Sequence, residues 1–322
     1  MIDCHIHYAE SLGADNLLQV FREAPITAAV LLCIPKGNGG CVESDAFAFR
    51  EKSPVPVYIF GGISRAIWSA APEAQGTLLN RETDRLLAMG CVGVKLLEGK
   101  PDVRKRYSVP DFDGPVWADF WSRMEREQIP VVFHVNDPED FWDEEKVTEV
   151  AKKFGWFYDE SFPGFWSQYR QVVNLLERHP NLRLLLPHFF FLSGDLERMS
   201  GLLDRYPNLR IDITPGIELY RTLSGQIEQA RSFFQKHRTR ICYGTDIGAR
   251  SVIREKDTAL SLGESRARIR IITEFIEKRG PFPVVPDGEY LSGEPFFLNG
   301  LGLAAEEKEL VYTRNILNFI NK

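Results

Sequence analysis

Met1-Ile2-Asp3-Cys4-His5-Ile6-His7 opens the chain as a short apolar stretch carrying His-x-His. Side chains on a strand alternate between its two faces, so His5 and His7 point the same way. Two imidazoles on one face, about 7 Å apart along the strand, can close on a single metal ion. Chance surface histidines give the same local pattern. The pair therefore gains weight only if other strands deliver ligands to the same place.

Outward from this stretch, short β-rich apolar runs alternate with helical patterns to the end of the chain. Strands are predicted at 1–6, 27–34, 55–63, 92–97, 130–135, 183–187, 209–213 and 241–245. Several are almost wholly apolar, as in a parallel sheet covered on both faces. Helices are predicted near 13–24, 43–52, 71–89, 114–127, 144–154, 166–179, 195–206 and 222–238, with two more near 264–279 and 303–321. Eight strand-then-helix units over 322 residues predict one α/β domain, a (β/α)8 TIM barrel with extra C-terminal helices. An open doubly wound sheet is the competing arrangement, but no Gly-x-Gly-x-x-Gly follows the first strand.

The net charge of -6 argues against a nucleic-acid partner, because phosphate binding needs a basic face. No apolar run reaches the roughly 18 residues of a membrane span; the longest, Leu182 to Leu192, is broken by Arg183, Pro187 and His188. The five cysteines are odd in number and form no Cys-x-x-Cys, which points to reduced thiols and a cytoplasmic protein. A small-molecule substrate is the partner expected. Residues 98–113 and the aromatic-rich 136–166 follow strands four and five, so a barrel places them on its C-terminal face as pocket walls. A satellite core or subunit contact is the plainer use of such an aromatic cluster. The apolar character of 136–166 and 281–300 is compatible with a homodimer.

Of the six histidines, His179 and His237 sit at helix C-termini, where a cationic side chain suits the helix dipole. The other four, His5, His7, His134 and His188, fall at or just past the ends of strands one, five and six. Strand eight adds Asp246, which a barrel brings to the same rim; capping the next helix is its commonplace alternative. Strand four adds Lys95, suited to a substrate carboxylate, to a carboxylated bridge between two metals, or to a pairing with Glu98. Lys36, Arg65 and Arg250 also follow strands and are candidates, with Lys95, for binding an anionic substrate.

Together these residues resemble the amidohydrolase superfamily, in particular the amidohydrolase-2 family. The matching features are His5-x-His7, the GVKL segment around Lys95, His134, LLERHPNLRLLLPH ending at His188, LLDRYPNLRIDI, YGTD ending at Asp246, and LVYTRNILNFI with Asn315. The resemblance implies one catalytic divalent metal, most often Zn2+, with His5, His7, His134 and Asp246 as ligands. It implies His188 and Asp246 as catalytic groups. Two stretches depart from the family. Phe189-Phe190-Phe191 stands where a Gly-rich turn is common, and Ile247-Gly248 where an aromatic-Pro pair is common, so substrate identity does not transfer.

Neutral imidazoles and a carboxylate suit zinc, which generates hydroxide near neutral pH. The expected activity is a metal-dependent hydrolase attacking an amide, ester or lactone carbonyl, with Asp246 handling the water proton and His188 orienting the water and stabilising the oxyanion. The same groups serve a non-oxidative decarboxylase of a carboxylated aromatic or unsaturated acid. A non-catalytic metal-binding barrel would lack one of these groups, and none is missing. Gly37-Asn38-Gly39-Gly40 lacks the Lys-Ser/Thr of a phosphate-binding loop.

Overall fold

The computed structural model describes residues 1–36, 42–250, 258–289 and 291–321. All eight predicted strands form: β1 (Ile2–His7), β2 (Ala28–Leu32), β3 (Val57–Gly62), β4 (Gly93–Gly99), β5 (Val131–Val135), β6 (Leu184–Leu186), β7 (Leu209–Asp212) and β8 (Ile241–Cys242). Each pairs in parallel with the next. The ring closes through β9 (Ile247–Arg250), which continues the eighth strand and lies parallel to β1, with Ile6 opposite Ile247 and His7 opposite Gly248. Between the two pieces, Cys4 N–H donates to Tyr243 O at 3.0 Å and Asp246 N–H to His5 O at 2.8 Å. The architecture is the expected TIM barrel.

Alternate residues of each strand build two separate apolar layers. Leu31, Ile59, Val94, Val131, Leu184 and Ile211 face the surrounding helices. Val30, Phe60, Val132, Leu185 and Cys242 fill the barrel interior, where Ile316, Phe319 and Ile320 join them. Those last three plug the bottom of the barrel, with Phe319 stacked on Phe60 at 6.1 Å. Asn315 fixes the plug by donating to Arg238 O and Ile241 O, both at 2.7 Å.

β1 departs from plain alternation. Its register shifts between Asp3 and Ile6. Ile2 and Cys4 lie in the interior cluster, but Ile6 lies in the outer one. The irregularity flips the parity and turns His5 and His7 inward above Cys4. Asp3 pins it, accepting His5 N–H and Thr245 N–H at 3.1 Å each, as well as the Thr245 hydroxyl.

Elsewhere the structure is more regular than the sequence suggests. A helix, Pro101–Tyr107, forms inside the expected loop 98–113. The single helix expected at 222–238 is two, Ile217–Gly225 and Ile227–Lys236, meeting at Gln226. β10 (Thr258–Ala259) pairs antiparallel with β9. The proline-rich 281–300 supplies most of a hairpin, β11 (Arg279–Val284) against β12 (Phe296–Leu301). This sheet has two strands only, so Pro281 and Pro283 sit on an edge strand, where a missing N–H is tolerated. Among the described residues no helix is long and apolar enough to cross a membrane. Cys4, Cys33, Cys91 and Cys242 are buried, and Cys41 lies outside the described residues.

Candidate metal centre and active site

The strand ends surround a cavity of about 1020 Å³, with His5, His7, Lys95, His134, His188 and Asp246 among its lining. Each strand orients its contribution by alternation. Val94 and Leu96 pack outward, so Lys95 faces in; Val131 and Phe133 pack outward, so His134 faces in.

Three donors converge. His5 Nε2 lies 3.2 Å from His7 Nε2, and Asp246 Oδ1 lies 3.3 Å from His7 Nε2 and 3.8 Å from His5 Nε2. The hydrogen bonds fix both tautomers. His7 Nδ1 donates to Leu32 O at 2.7 Å, and His5 Nδ1 donates to the Asp212 carboxylate at 2.9 Å. With Nδ1–H spent in this way, the two rings direct their Nε2 atoms, and Asp246 a carboxylate oxygen, at one point. Burial holds the His5 imidazole well below its ordinary range, so it is neutral. Three acceptors this close repel one another unless a cation lies between them. A tetrahedral ion with bonds of about 2.0–2.1 Å spaces its ligand atoms by roughly 3.4 Å, close to what is seen. The residues present therefore fit a divalent metal.

His134, expected as the fourth ligand, lines the same cavity but lies outside the three-residue cluster. Its Nε2 donates to Asn136 O at 2.9 Å and lies 3.5 Å from Asp137 Oδ1. Its ring stands edge-on to His188 at 5.0 Å. One ring nitrogen is thus taken by a backbone acceptor beyond β5.

His188 is set by a relay. Thr214 Oγ1 donates to Asp212 Oδ1 at 2.6 Å and accepts from His188 Nδ1 at 2.8 Å. His188 N–H also donates to Asp212 Oδ1 at 2.8 Å. Burial keeps this imidazole neutral, well below its usual range, so its Nε2 is a bare acceptor. Asp212 thus orients both His5 and His188. Burial raises its pKa, while the four donors aimed at it favour the carboxylate.

His188 begins a turn in which four successive residues have φ of 56, 57, 54 and 52°. This left-handed conformation costs roughly 1–2 kcal/mol for each ordinary residue, which explains why glycine suits these positions. Here packing offsets the strain. Phe189 and Phe190 are buried, and Tyr169 OH donates to Phe190 O at 2.6 Å. Phe191 stacks on His188, with centroids 5.2 Å apart. An unusual order of stabilities follows. Phe190→Gly, relieved of strain, should unfold at a urea concentration no lower than Phe190→Ala, although glycine is normally the worse residue. A clearly less stable glycine variant would mean that the turn stores no strain.

Asp246 is held in the same region of backbone space, with φ 53°. Arg268, on the helix Leu262–Glu277, donates to Asp246 O at 3.0 Å and lies 3.3 Å from Asp246 Oδ2, while its other nitrogens grip Glu264. The flanking glycines are required by close approach. A Cβ on Gly244 would lie 3.0 Å from His5 Cβ and 2.8 Å from Thr214 Cγ2. One on Gly248, at φ +97°, would lie 2.0 Å from His7 O.

The cations proposed for substrate divide. Lys95 lines the cavity, is 1% exposed, and its Nζ has no hydrogen-bond partner among the described residues. Burial pushes its pKa down to about 8. Lys36 and Arg65 are not among the cavity's lining residues. Lys36 Nζ is 3.8 Å from Asp45, and Arg65 is buried with its guanidinium on the Tyr107 hydroxyl at 3.0 Å. Both follow a strand end, as expected, and their partners are Asp45 and Tyr107. The side chain of Arg250 lies outside the described part of the chain.

A family model for amidohydrolases, Amidohydrolase-2, matches residues 59–320. The chain belongs to the amidohydrolase-2 family. The matched span begins inside β3, so the place of His5 and His7 rests on the geometry above. No curated protein matches this amidohydrolase. Similar solved structures include 2,6-dihydroxybenzoate decarboxylase from Rhizobium, at 13% identity and TM-score 0.55, over 99% of this chain and 98% of that one. Another is a probable 2-pyrone-4,6-dicarboxylic acid hydrolase from Acinetobacter baumannii with citric acid bound, at 12% identity and TM-score 0.54, over 100% and 99%. A third is an amidohydrolase from Burkholderia multivorans with bound zinc, at 14% identity and TM-score 0.52, over 99% and 98%. At these identities the likeness concerns the fold.

Asp212, Thr214 and Arg268 are absent from the sequence-derived site. Asp212 had a readable signal, an acid inside the apolar run Leu209-Arg210-Ile211-Asp212-Ile213. Arg268 had none, since arginines abound on helices.

Proposed function

We propose that the protein is a metal-dependent hydrolase that directs an activated water at an amide, ester or lactone carbonyl of an anionic small molecule. The convergence of His5 Nε2, His7 Nε2 and Asp246 Oδ1 at ion-like separations, beside the bare Nε2 of His188, carries this reading. His5, His7 and Asp246 would hold one divalent ion, with zinc favoured by the nitrogen and oxygen donors. When bound, such an ion supplies a water whose pKa is lowered to about 7.

The chain's own groups complete the chemistry. His188 Nε2 accepts the proton of the attacking water, directly or handed on by Asp246, because Thr214 already occupies Nδ1–H. The neighbouring Asp212 carboxylate stabilises the imidazolium that results. This departs from the sequence-based expectation of His188 as an oxyanion donor: a neutral ring in this tautomer has no proton on Nε2 to donate until it has taken one. Lys95 offers an ammonium without a hydrogen-bond partner to the negative group of the substrate.

The same buried cation supports a second reading. An acid whose carboxylate is held at Lys95 beside the metal ligands is placed to lose CO2, and one structure of similar fold is a decarboxylase. A panel of lactones, esters and carboxylated aromatics, assayed for both carbonyl hydrolysis and CO2 release, decides. Hydrolysis without CO2 is expected. CO2 release alone selects the second reading, and neither product over the panel rejects both.

Thr214→Val tests the relay. It removes the oxygen that accepts His188 Nδ1–H and should lower turnover about 10-fold or more, with metal content unchanged. Wild-type turnover would make the relay dispensable.

A further inference from the structure

The cavity is larger than the chemistry on its floor requires. At about 1020 Å³ it reaches the upper end of ligand pockets, which run from about 300 to 1,000 Å³. The floor is polar. The outer wall, supplied by the segment after β5, is aromatic: Phe141, Phe154 and Trp156 face the cavity. Phe141 and Trp156 lie nearly parallel, with centroids 6.2 Å apart and 14° between planes. Phe154 lies 5.1 Å from Trp156.

These rings differ from their neighbours in sequence. Trp142 packs on Tyr158 at 4.7 Å and on Phe165 at 5.2 Å, and forms a satellite core with them. Phe141, Phe154 and Trp156 are half-buried, as Trp142 is, but they line the cavity and Trp142 does not. They are also tied to the floor. His134 Nε2 is 3.5 Å from Asp137 Oδ1; Asp137 pairs with Lys100 and accepts the Tyr158 hydroxyl; Lys100 Nζ lies 4.6 Å over the Trp156 ring. The polar floor therefore adjoins an aromatic wall of the same cavity. Half-buried aromatic faces beside a polar site are a place for an apolar group of a ligand.

We propose that this site takes an amphiphilic acid. Its anionic head lies at Lys95, and a flat aromatic or alkyl extension lies along Trp156 and Phe141. This rests on the reading of the floor as the active site.

Calorimetric titration of the full-length protein with benzoate and with 4-phenylbenzoate tests the proposal. The extended acid should bind about tenfold or more tighter. Trp156→Ala should bring the ratio of the two affinities close to one, and the milder Phe141→Leu should reduce it, with thermal melting confirming that both variants fold. Equal affinities in the wild type, a ratio unchanged in both variants, or binding of neither acid would overturn it. Binding is read without turnover. A protein that hydrolyses nothing but shows the ratio keeps this proposal and loses the hydrolase reading; one that hydrolyses lactones but lacks the ratio does the reverse.

Discussion

Turnover in His188→Ala should fall about 10²–10⁴-fold, the usual contribution of a positioned general base, with metal content and fold retained. The expectation follows from the hydrogen bonds around the ring. Thr214 Oγ1 accepts from Nδ1, so the ring presents an unprotonated Nε2 to the cavity and can take a proton there. His188 supplies none of the three clustered ligand atoms, so its loss should spare the metal. Its backbone bond to Asp212 survives substitution, since it involves the main-chain N–H. Alanine inherits a left-handed φ of 56°, and His188→Asn, which tolerates that region better, controls for strain. Steady-state kinetics with parallel metal analysis reads the result. Wild-type activity in both variants would make His188 structural.

Asp246→Asn should abolish activity by removing a charged donor from the three-residue cluster, with a loss of about 10³-fold or more and most of the metal gone. Asparagine is the informative replacement because it keeps the shape and accepts the left-handed backbone at φ 53°. It also keeps the backbone bond from Asp246 N–H to His5 O, so the barrel should still close. Arg268 keeps Glu264 and the Asp246 backbone oxygen but loses the Asp246 carboxylate, and some loss of stability is expected because a buried guanidinium has lost a charged partner. Activity with wild-type metal content in Asp246→Asn would remove this residue from the centre.

The barrel was legible because its signal is repetitive. Each strand is an apolar run of the right length, and each is followed by a helical pattern. The convergence of His5, His7 and Asp246, with His188 beside them, was legible where chemistry interrupts those runs. What stayed hidden depends on contacts between strands. Plain alternation along β1 groups His5 and His7 together but opposite Cys4; only the register shift beyond Asp3 turns both into the barrel. His134 stands on the expected strand, yet its Nε2 is spent on Asn136 O. Lys36 and Arg65 follow strands as predicted, but nothing in a sequence shows which way a side chain beyond a strand end will turn. Asp212 holds His5 and His188, and Arg268 holds Asp246, and such positioning contacts leave little trace in residue type. The Phe189-Phe190-Phe191 departure was visible as a difference, and its meaning needed the backbone angles.

Metal analysis of the purified protein beside its His5→Ala and Asp246→Asn variants bears most directly on the centre. About one divalent ion per chain in the wild type, lost from both variants while His188→Ala retains it, is the expected outcome. A wild-type protein that stays metal-free after incubation with zinc or manganese, or variants that keep a full complement, would contradict it.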